Sequence, residues 1–256
     1  MSVFGAYAAY YDLLYRDKDY AGEAAYVSAM IRRHCRGASG LLDLGCGTGV
    51  HAAHLAEAGW QVHGVDLSET MLEDARQRRT RLPGAIAGRL GFSPGDARTY
   101  RHATSFDAVT ALFHVASYQI GNEDLDALFD TAAAHLSPGG VFLFDFWYGP
   151  AVLILRPAVR ILRMASDTMK VLRLAEPVMH LDSNAVDVNY EIQVTDLTSG
   201  EVTSFHETHR MRYLFLPEVM RLLQAHGFLA GATEEWMTGN APGENTWGVC
   251  VAAIKL

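Results

Sequence analysis

The chain has 256 residues, with 21 Lys or Arg and 29 Asp or Glu, so its formal net charge is −8. Half of the residues are hydrophobic and 20% are charged, which is ordinary for a globular protein and excludes a disordered or fibrous chain. The acidic balance argues against a general electrostatic grip on nucleic acid, and no apolar run reaches the ~18 residues of a membrane span. The first residues lack a secretory signal, and the three cysteines are too scattered for a disulfide framework or a zinc site. We therefore expect a reduced, cytoplasmic protein.

The first 150 residues alternate short apolar runs with helix-like segments. Strands that alternate with helices favour right-handed crossovers and a parallel, doubly wound sheet. The predicted elements, in chain order, are a helix at 21–35, a strand at 41–44, a helix at 50–58, a strand at 62–65, a helix at 69–79, strands at 90–93 and 106–113, a helix at 125–136 and a strand at 141–147.

The pattern changes after Pro150. Residues 159–214 carry β-like runs with no helix-length segment between them. The segment LTSG at 197–200 is typical of a hairpin turn. Because short strands joined by tight turns pair with their neighbours in opposite directions, this part of the chain is predicted to be antiparallel.

The chain ends with a helix after Pro217 and two further strands. The predicted fold is an α/β, doubly wound, Rossmann-like sheet formed by residues 1–150 and 216–256. Residues 151–215 form an antiparallel β-rich insertion, which we expect to lie over the carboxyl edge of that sheet.

The strongest functional signal is the stretch DLGCGTG at 43–49, between a predicted strand and a predicted helix. Glycines let the backbone turn sharply and approach a ligand without a Cβ in the way. The helix that follows offers free N–H groups at its start. The spacing is G-x-G-x-G and differs from the G-x-G-x-x-G of a dinucleotide site.

Two acidic residues follow the next two strands. Asp66 ends the second strand, where a carboxylate can accept hydrogen bonds from both hydroxyls of a ribose. Asp96 follows the third strand and could accept from an adenine amino group. Together with the glycine loop, they describe an adenosine pocket at the carboxyl edge of one sheet. The alternative is that both carboxylates only cap the helices after them.

These motifs resemble those of the class I S-adenosylmethionine-dependent methyltransferases. The resemblance rests on DLGCGTG at 43–49, VDLS at 65–68, GDA at 95–97, FDAVTALF at 106–113 and LSPGG at 136–140. It implies S-adenosylmethionine as the cofactor. The residues that it assigns to the cofactor site are Tyr11, Asp43, Gly45, Gly47, Asp66, Leu67, Asp96, Ala97 and Phe113.

A closer similarity is to the bacterial N,N-dimethyltransferases of nucleotide-linked amino sugars. It rests on YDLLYRDKDYAGEA at 11–24, CGTGVHAAHLAEAG at 46–59, DLSETML at 66–72 and ETHRMRYLF at 207–215. The similarity implies a small-molecule acceptor. That group commonly has a histidine near the acceptor amine, five residues after the Phe that ends strand four. Here Tyr118 holds that position, and a histidine occurs instead at His114.

These two residues are the candidates for catalysis. Methyl transfer from a sulfonium is an in-line displacement, so it depends mainly on alignment of the nucleophile, the methyl group and the sulfur. An ammonium acceptor must first lose a proton. His114 has the pKa range for that task, whereas Tyr118 can orient the acceptor by hydrogen bonding. The alternatives are that His114 packs at a strand end and that Tyr118 is a pocket wall.

The substrate side of the site is predicted to be aromatic, because aromatic faces attract a cation such as the sulfonium. Tyr7 precedes the fold, and Trp147 and Tyr148 follow strand five, where the substrate-facing residues of such sheets lie. On the strand at 205–215, side chains alternate between two faces. One face is expected to look into the pocket, so that His209 or Arg212 meets a polar or anionic substrate group; the alternative is a solvated strand face.

No metal is expected, because His206 and His209 are three residues apart and fall on opposite faces of a strand. The (D/N/S)-P-P-(Y/F) tetrapeptide of nucleic-acid amino-methylating enzymes is absent. The predicted function is methyl transfer from S-adenosylmethionine to a small molecule, with an amine nitrogen favoured and with neither nucleic acid nor membrane as partner. The resemblance allows a homodimer through the insertion. Three alternatives stay open: O-methylation, intramolecular displacement within S-adenosylmethionine that releases methylthioadenosine, and a non-catalytic adenosyl-binding module.

Overall fold

The computed structural model describes the backbone of residues 8–256 and, from residue 10 onward, the side chains as well. No helix in this range is both long and apolar enough to cross a membrane. The helices are α1 (Ala8–Leu14), α2 (Tyr20–His34), α3 (Val50–Glu57), α4 (Glu69–Thr80), α5 (Gly84–Ala87), α6 (Asn122–His135), α7 (Gly149–Leu155) and α8 (Leu216–Ala225). The strands are β1 (Gly40–Leu44), β2 (Gln61–Asp66), β3 (Leu90–Pro94), β4 (Phe106–Ala111), β5 (Leu136–Tyr148), β6 (Arg160–Ala165), β7 (Met169–His180), β8 (Ala185–Asp196), β9 (Val202–Leu214), β10 (Phe228–Glu235) and β11 (Gly248–Lys255).

One mixed sheet organises the fold. Strands β3, β2, β1, β4 and β5 are neighbours in this order and run parallel. Strand β11 pairs antiparallel with β5, and β10 pairs antiparallel with β11. Because side chains alternate along a strand, Phe142 and Phe144 of β5 pack in one cluster with residues of α6 and α8. Val141 and Leu143 pack in a second cluster with residues of α2 and α3. Helices thus cover both faces, and the predicted Rossmann-like α/β fold is confirmed.

The antiparallel strands of the insertion are β6 to β9, which pair in chain order. At its end, β9 leaves this arrangement and pairs in parallel with the end of β5. The paired residues are Trp147 with Tyr213 and Tyr148 with Leu214. Since the carboxyl ends of parallel strands meet at one edge of a sheet, this pairing anchors the insertion beside the glycine loop that follows β1.

Strand β4 is shorter than predicted. It ends at Ala111 rather than at Phe113, because Phe113 and His114 have φ values of 60° and 67°. A side chain with a Cβ occupies this left-handed region at an energetic cost, and such residues concentrate at functional sites. The chain then enters a short 3₁₀ helix, Val115–Tyr118. The apolar pattern of the sequence does not reveal this turn.

Three short helices, α1, α5 and α7, are absent from the predicted elements. Helix α7 crosses residue 150, where the sequence pattern changes, and it begins with Pro150 in its first turn. Its Ala151 and Val152 are fully buried. The apolar run AVLIL after Pro150 is only five residues long, too short for periodicity to distinguish a helix from a strand.

Helix α1 packs between the sheet core and the insertion. Tyr10 is 2% exposed and shares a cluster with Met71 of α4 and with Val171 and Ile192 of the insertion. Asp12 accepts a hydrogen bond from the Thr48 hydroxyl at 2.8 Å. The start of the described chain is thereby held against the glycine loop on one side and against the insertion on the other.

The environment of His135 at the end of α6 makes stability depend on pH. Its Nδ1 donates to the carbonyl of Thr131 at 2.7 Å, and its Nε2 accepts from the backbone N–H of His102 at 2.7 Å. Only the neutral ring can do both. Burial, together with the charges of Arg101 and His102, lowers the pKa of His135. The folded state therefore resists protonation, and its stability is greatest above the unfolded histidine pKa of about 6.5.

We expect the free energy of unfolding to fall as the pH drops from about 8 to about 5. His135→Gln should lose less stability over this range than the unaltered chain, because the glutamine does not titrate. Urea unfolding at several pH values measures both, with His54→Gln on α3 as the control. An equal pH dependence in the His135 variant and the unaltered chain would contradict the assignment.

Candidate active site

A cavity of about 390 Å³ opens at the carboxyl edge of the parallel strands. The loops that follow β1, β2, β3 and β4 form one side of it, and strands β8 and β9 of the insertion form the other. A volume of this order is typical of small-molecule sites. The lining residues from the insertion are Val188, Tyr190, His209 and Met211.

The glycine loop turns directly under the cavity. Gly45, Gly47 and Gly49 have φ values of 77°, 55° and 72°, which favour glycine. A Cβ at Gly45 would lie 2.5 Å from Cγ2 of Val115, so the loop also needs the missing side chain for close packing. A Cβ at Gly47 would meet nothing within 4 Å, and Gly47 lines the cavity. The backbone of Gly47 is thus accessible to a ligand in the cavity.

Asp66 ties the glycine loop to the end of β2. Its two carboxylate oxygens accept from the backbone N–H groups of Gly47 and Ser68, each at 2.8 Å. Burial nevertheless raises the pKa of this carboxyl above its usual value. Both Asp66 and the neighbouring Leu67 line the cavity, as predicted.

Asp43 lies at the end of β1 and does not line the cavity. It is 2% exposed and accepts a hydrogen bond from the Thr110 hydroxyl at 2.8 Å. Burial raises the pKa of Asp43 to about 7, and the charge of Asp66 acts in the same direction. Its position below the loop suits support of β1 and β4 rather than contact with a ligand.

Asp96 lines the cavity at the end of β3, next to Ala97. Arg98 donates to its carboxylate from Nε at 2.9 Å and holds the pKa of Asp96 below its usual value. Arg98 also pairs with Asp124 on α6 at 2.6 Å. The carboxylate of Asp96 therefore stays ionised and is held in place by a cation that also lines the cavity.

His114 faces the cavity from the strained turn after β4. Its Nδ1 lies 2.6 Å from the carboxylate of Asp145. The backbone N–H of His114 donates to the same carboxylate at 3.2 Å. Asp145 is 2% exposed and lies in the last third of β5. The imidazole therefore stands beside a buried carboxylate, although its Nδ1 makes no hydrogen bond with any of the described residues.

Tyr118 and His209 meet across the cavity floor. The hydroxyl oxygen of Tyr118, from the 3₁₀ helix, lies 2.7 Å from Nδ1 of His209 on β9. His209 is 4% exposed. Burial lowers the pKa of His209 to about 4, and the charge of Arg173 adds to this effect. Both side chains line the cavity, so the core and the insertion are joined by a polar contact there.

The structure brings most of the predicted site residues to this one cavity. Those that line it are Gly45, Gly47, Asp66, Leu67, Asp96, Ala97, Phe113, His114, Tyr118, Trp147 and His209. Tyr7 lies outside the described residues.

Four other predicted residues do not line the cavity. Besides Asp43, Tyr148 packs against the apolar cluster on the α6 side of the sheet. Arg212 is 7% exposed and points away, because alternate residues of β9 face opposite sides. Its guanidinium donates to the backbone carbonyl of Ile120 at 3.1 Å and pairs with Glu218.

Tyr11 packs against Tyr15, with ring centroids 4.8 Å apart, and Tyr15 lines the cavity instead.

Several lining residues were not among the predicted site residues. Tyr15 lies four residues after Tyr11, directly after the end of α1, and its ring centroid lies 5.0 Å from that of Phe113. Val188 and Tyr190 of β8 reach the cavity because Val188 pairs with His209 on the neighbouring strand β9. That register is set by tertiary pairing, which the sequence does not display. Met71, Arg98 and Gln119 also line the cavity and were not among the predicted site residues.

Comparisons with known proteins agree with this architecture. A family model described as a methyltransferase domain matches residues 41–140. The dTDP-3-amino-3,6-dideoxy-α-D-glucopyranose N,N-dimethyltransferase of Streptomyces fradiae is 32% identical, over 93% of this chain and 88% of that protein. The crystal structure of Streptomyces venezuelae DesVI has a TM-score of 0.79 and 28% identity, with 98% of each chain covered. The S-adenosylmethionine-bound CalS10, an amino pentose methyltransferase from Micromonospora echinaspora, has a TM-score of 0.75 and 26% identity, with 96% of each chain covered.

The sheet order, the glycine loop and the acidic strand ends define an α/β methyltransferase that uses S-adenosylmethionine. The chain belongs to the S-adenosylmethionine-dependent methyltransferases, in the family that includes the amino-sugar N,N-dimethyltransferases. The predicted function, methyl transfer to the nitrogen of a small molecule, is confirmed at the level of this family. O-methylation, intramolecular displacement and a non-catalytic module are not favoured.

The glycine loop allows a matched pair of substitutions. Gly47→Ala puts a Cβ into open space at a positive φ, which costs about 1–2 kcal/mol. Gly45→Ala has the same backbone strain and a contact of 2.5 Å with Val115, so it should cost clearly more. Urea unfolding without S-adenosylmethionine measures both losses. Equal destabilisation by the two alanines would show that packing against Val115 does not constrain the loop.

Proposed function

We propose that this enzyme transfers methyl groups from S-adenosylmethionine to the amino group of a nucleotide-linked sugar, to give the N,N-dimethylated product. The observation that carries the proposal is one cavity, with the glycine loop and strand-end carboxylates at one end. At the other end are aromatic and histidine side chains from the turn after β4, from the end of β5 and from the insertion. The first end is called the donor half here and the second the acceptor half. The similarity to amino-sugar dimethyltransferases along almost the whole chain supports the substrate class.

The donor half fits the cofactor. Asp66 is the candidate for the ribose hydroxyls, and Asp96 with Ala97 for the adenine. Gly47 offers backbone without a side chain to obstruct a ligand. When bound, S-adenosylmethionine supplies a methyl group on a positively charged sulfur, which is already a good leaving group. Phe113 lines this half, and aromatic rings attract cations; the Lys18 ammonium already lies 4.4 Å from the centroid of this ring.

The acceptor half has groups that would prepare an amine. An amine is largely an ammonium near neutral pH, and its nitrogen attacks only after a proton leaves. His114, whose ring stands beside the buried Asp145, is the candidate to accept that proton. Tyr118 and Trp147 are the candidates to orient the nitrogen toward the methyl group. Because a neutral amine is already a nucleophile, alignment supplies most of the rate, and we propose that no metal takes part.

Positive charge at the acceptor half supports a nucleotide-linked substrate. The guanidinium of Arg173 on β7 lies 4.9 Å from the ring centroid of Tyr190, which lines the cavity. Burial raises the pKa of Tyr190. The positive charges of Arg173 and Arg160 act in the opposite direction, which places both arginines near this side chain. A diphosphate group would be attracted to this part of the protein, because arginine pairs well with phosphate oxygens.

Asp66→Asn tests the donor half. The substitution removes the charge that would accept the ribose hydroxyls, and hydrogen bonds to charged groups are worth about 1.5–3 kcal/mol. We expect the affinity for S-adenosylmethionine to fall roughly 10- to 100-fold by calorimetry. Glu73→Gln, at an exposed position of α4, is the matched control and should bind as the unaltered chain does. Unchanged affinity in the Asp66 variant would remove this carboxylate from the cofactor site.

The substrate class is tested by mass spectrometry with three sugars: a nucleoside-diphosphate amino sugar, the same sugar without the nucleotide, and the nucleotide sugar with a hydroxyl in place of the amine. We expect the first to gain one and then two methyl groups with release of S-adenosylhomocysteine, and the other two to react far more slowly. Methylation of the hydroxyl sugar at a similar rate would contradict N-methylation. Equal rates with and without the nucleotide would contradict recognition of the diphosphate.

A further inference from the structure

The contact between Tyr118 and His209 joins two parts of the chain that are 91 residues apart. Tyr118 stands on the 3₁₀ helix of the sheet core, and His209 stands on β9 of the insertion. Their oxygen and Nδ1 atoms are 2.7 Å apart, well within hydrogen-bond range. The ring of Tyr190 meets His209 edge-on at 5.1 Å, so the imidazole is held on that side as well.

The direction of this hydrogen bond follows from the surroundings of His209. Its other ring nitrogen, Nε2, lies 3.4 Å from the carboxylate of Glu207. An ionised carboxylate only accepts hydrogen bonds, so it favours the tautomer with hydrogen on Nε2. A neutral ring of that tautomer has a bare Nδ1, which accepts. The neighbouring Arg173 and the burial of the ring both oppose an imidazolium. The Tyr118 hydroxyl is therefore the donor.

We propose that His209 is a positioning residue that engages the hydrogen of the Tyr118 hydroxyl, so that the Tyr118 oxygen acts toward the cavity as a hydrogen-bond acceptor and selects an acceptor nitrogen that carries an N–H. This inference rests on the proposed function, because it concerns the amine at the acceptor half. Glu207 sets the tautomer, His209 receives the hydroxyl hydrogen, and Tyr118 meets the substrate.

This arrangement accounts for the proposed end of methylation at two methyl groups. A neutral primary amine has two N–H groups, and a neutral monomethylamine has one, so either can donate to the Tyr118 oxygen while its lone pair faces the methyl group. A neutral dimethylamine has no N–H left. A third transfer would require that amine to sit against an oxygen with which it makes no hydrogen bond, and the product is released instead.

The tautomer of His209 is measured directly by nuclear magnetic resonance on protein with ¹⁵N-labelled histidine. The nitrogen signals of His209 are identified by their loss in His209→Gln. Near neutral pH, we expect the pattern of a neutral ring with hydrogen on Nε2 and an accepting Nδ1, and Tyr118→Phe should shift the Nδ1 signal. An imidazolium pattern, or hydrogen on Nδ1, would overturn the inference. This measurement needs no acceptor, so its outcome is independent of whether the sugar assay succeeds.

A double-mutant cycle tests the consequence for the reaction. We expect His209→Leu to lower kcat/KM for the amino sugar about tenfold or more, with the affinity for S-adenosylmethionine unchanged. In the Tyr118→Phe background, the same change should cause little further loss, because no hydroxyl remains to position. His209→Gln should retain most activity, since its side-chain oxygen accepts the same hydrogen. His206→Leu, exposed on the same strand, is the matched control.

The outcomes separate the two proposals. Losses that add fully in the double variant, or a His209→Leu enzyme with unaltered kcat/KM, would overturn the role of His209. If His209→Leu does not fold, the test uses His209→Gln instead. A His209→Gln enzyme as impaired as Tyr118→Phe would also overturn the role of His209. Failure to methylate any nucleotide amino sugar would reject the substrate class, whereas the measured tautomer would still decide the contact.

Discussion

The rest of the site depends on the pairing of strand β5. Along its length, β5 pairs with β4 on one side and with β11 on the other, and its last residues also pair with the end of β9. The pairing of Trp147 and Tyr148 with Tyr213 and Leu214 thereby attaches the insertion at the edge where the glycine loop lies. Because β8 and β9 are joined to each other along almost their full length, this short attachment positions a whole wall of the cavity.

The second constraint is the strained turn after β4. Phe113 and His114 occupy the left-handed region, and the 3₁₀ helix that follows carries Tyr118 to His209. The turn is held by the buried Asp145, which contacts both the backbone and the ring of His114. Strain at these two residues thus serves to present the groups assigned to proton transfer and orientation, on a frame supported by β5.

Much of the fold and the donor half could be predicted from local sequence. The glycine loop, Asp66 and Asp96 each follow a strand that is recognisable from its own apolar run, and carboxyl ends of parallel strands meet at one edge. Prediction was less successful where a residue's partner is distant. From the sequence, Arg212 is as suitable as His209, because alternation shows that they face opposite sides but not which side is the cavity. Tyr190 was missed, since its place depends on the register of β8 against β9.

The sequence by itself determined the family, the cofactor and the strand ends that would receive it, because these depend on glycine, aspartate and apolar residues at short, fixed spacings. Only the tertiary structure decided that Asp43 lies beneath the loop while Asp66 lines the cavity, and that Tyr15 lies where Tyr11 was expected. Only the tertiary structure, too, brought His209 to Tyr118. The physical reason is that hydrogen-bond partners far apart in the chain are chosen by strand register and packing, neither of which is written in any single segment.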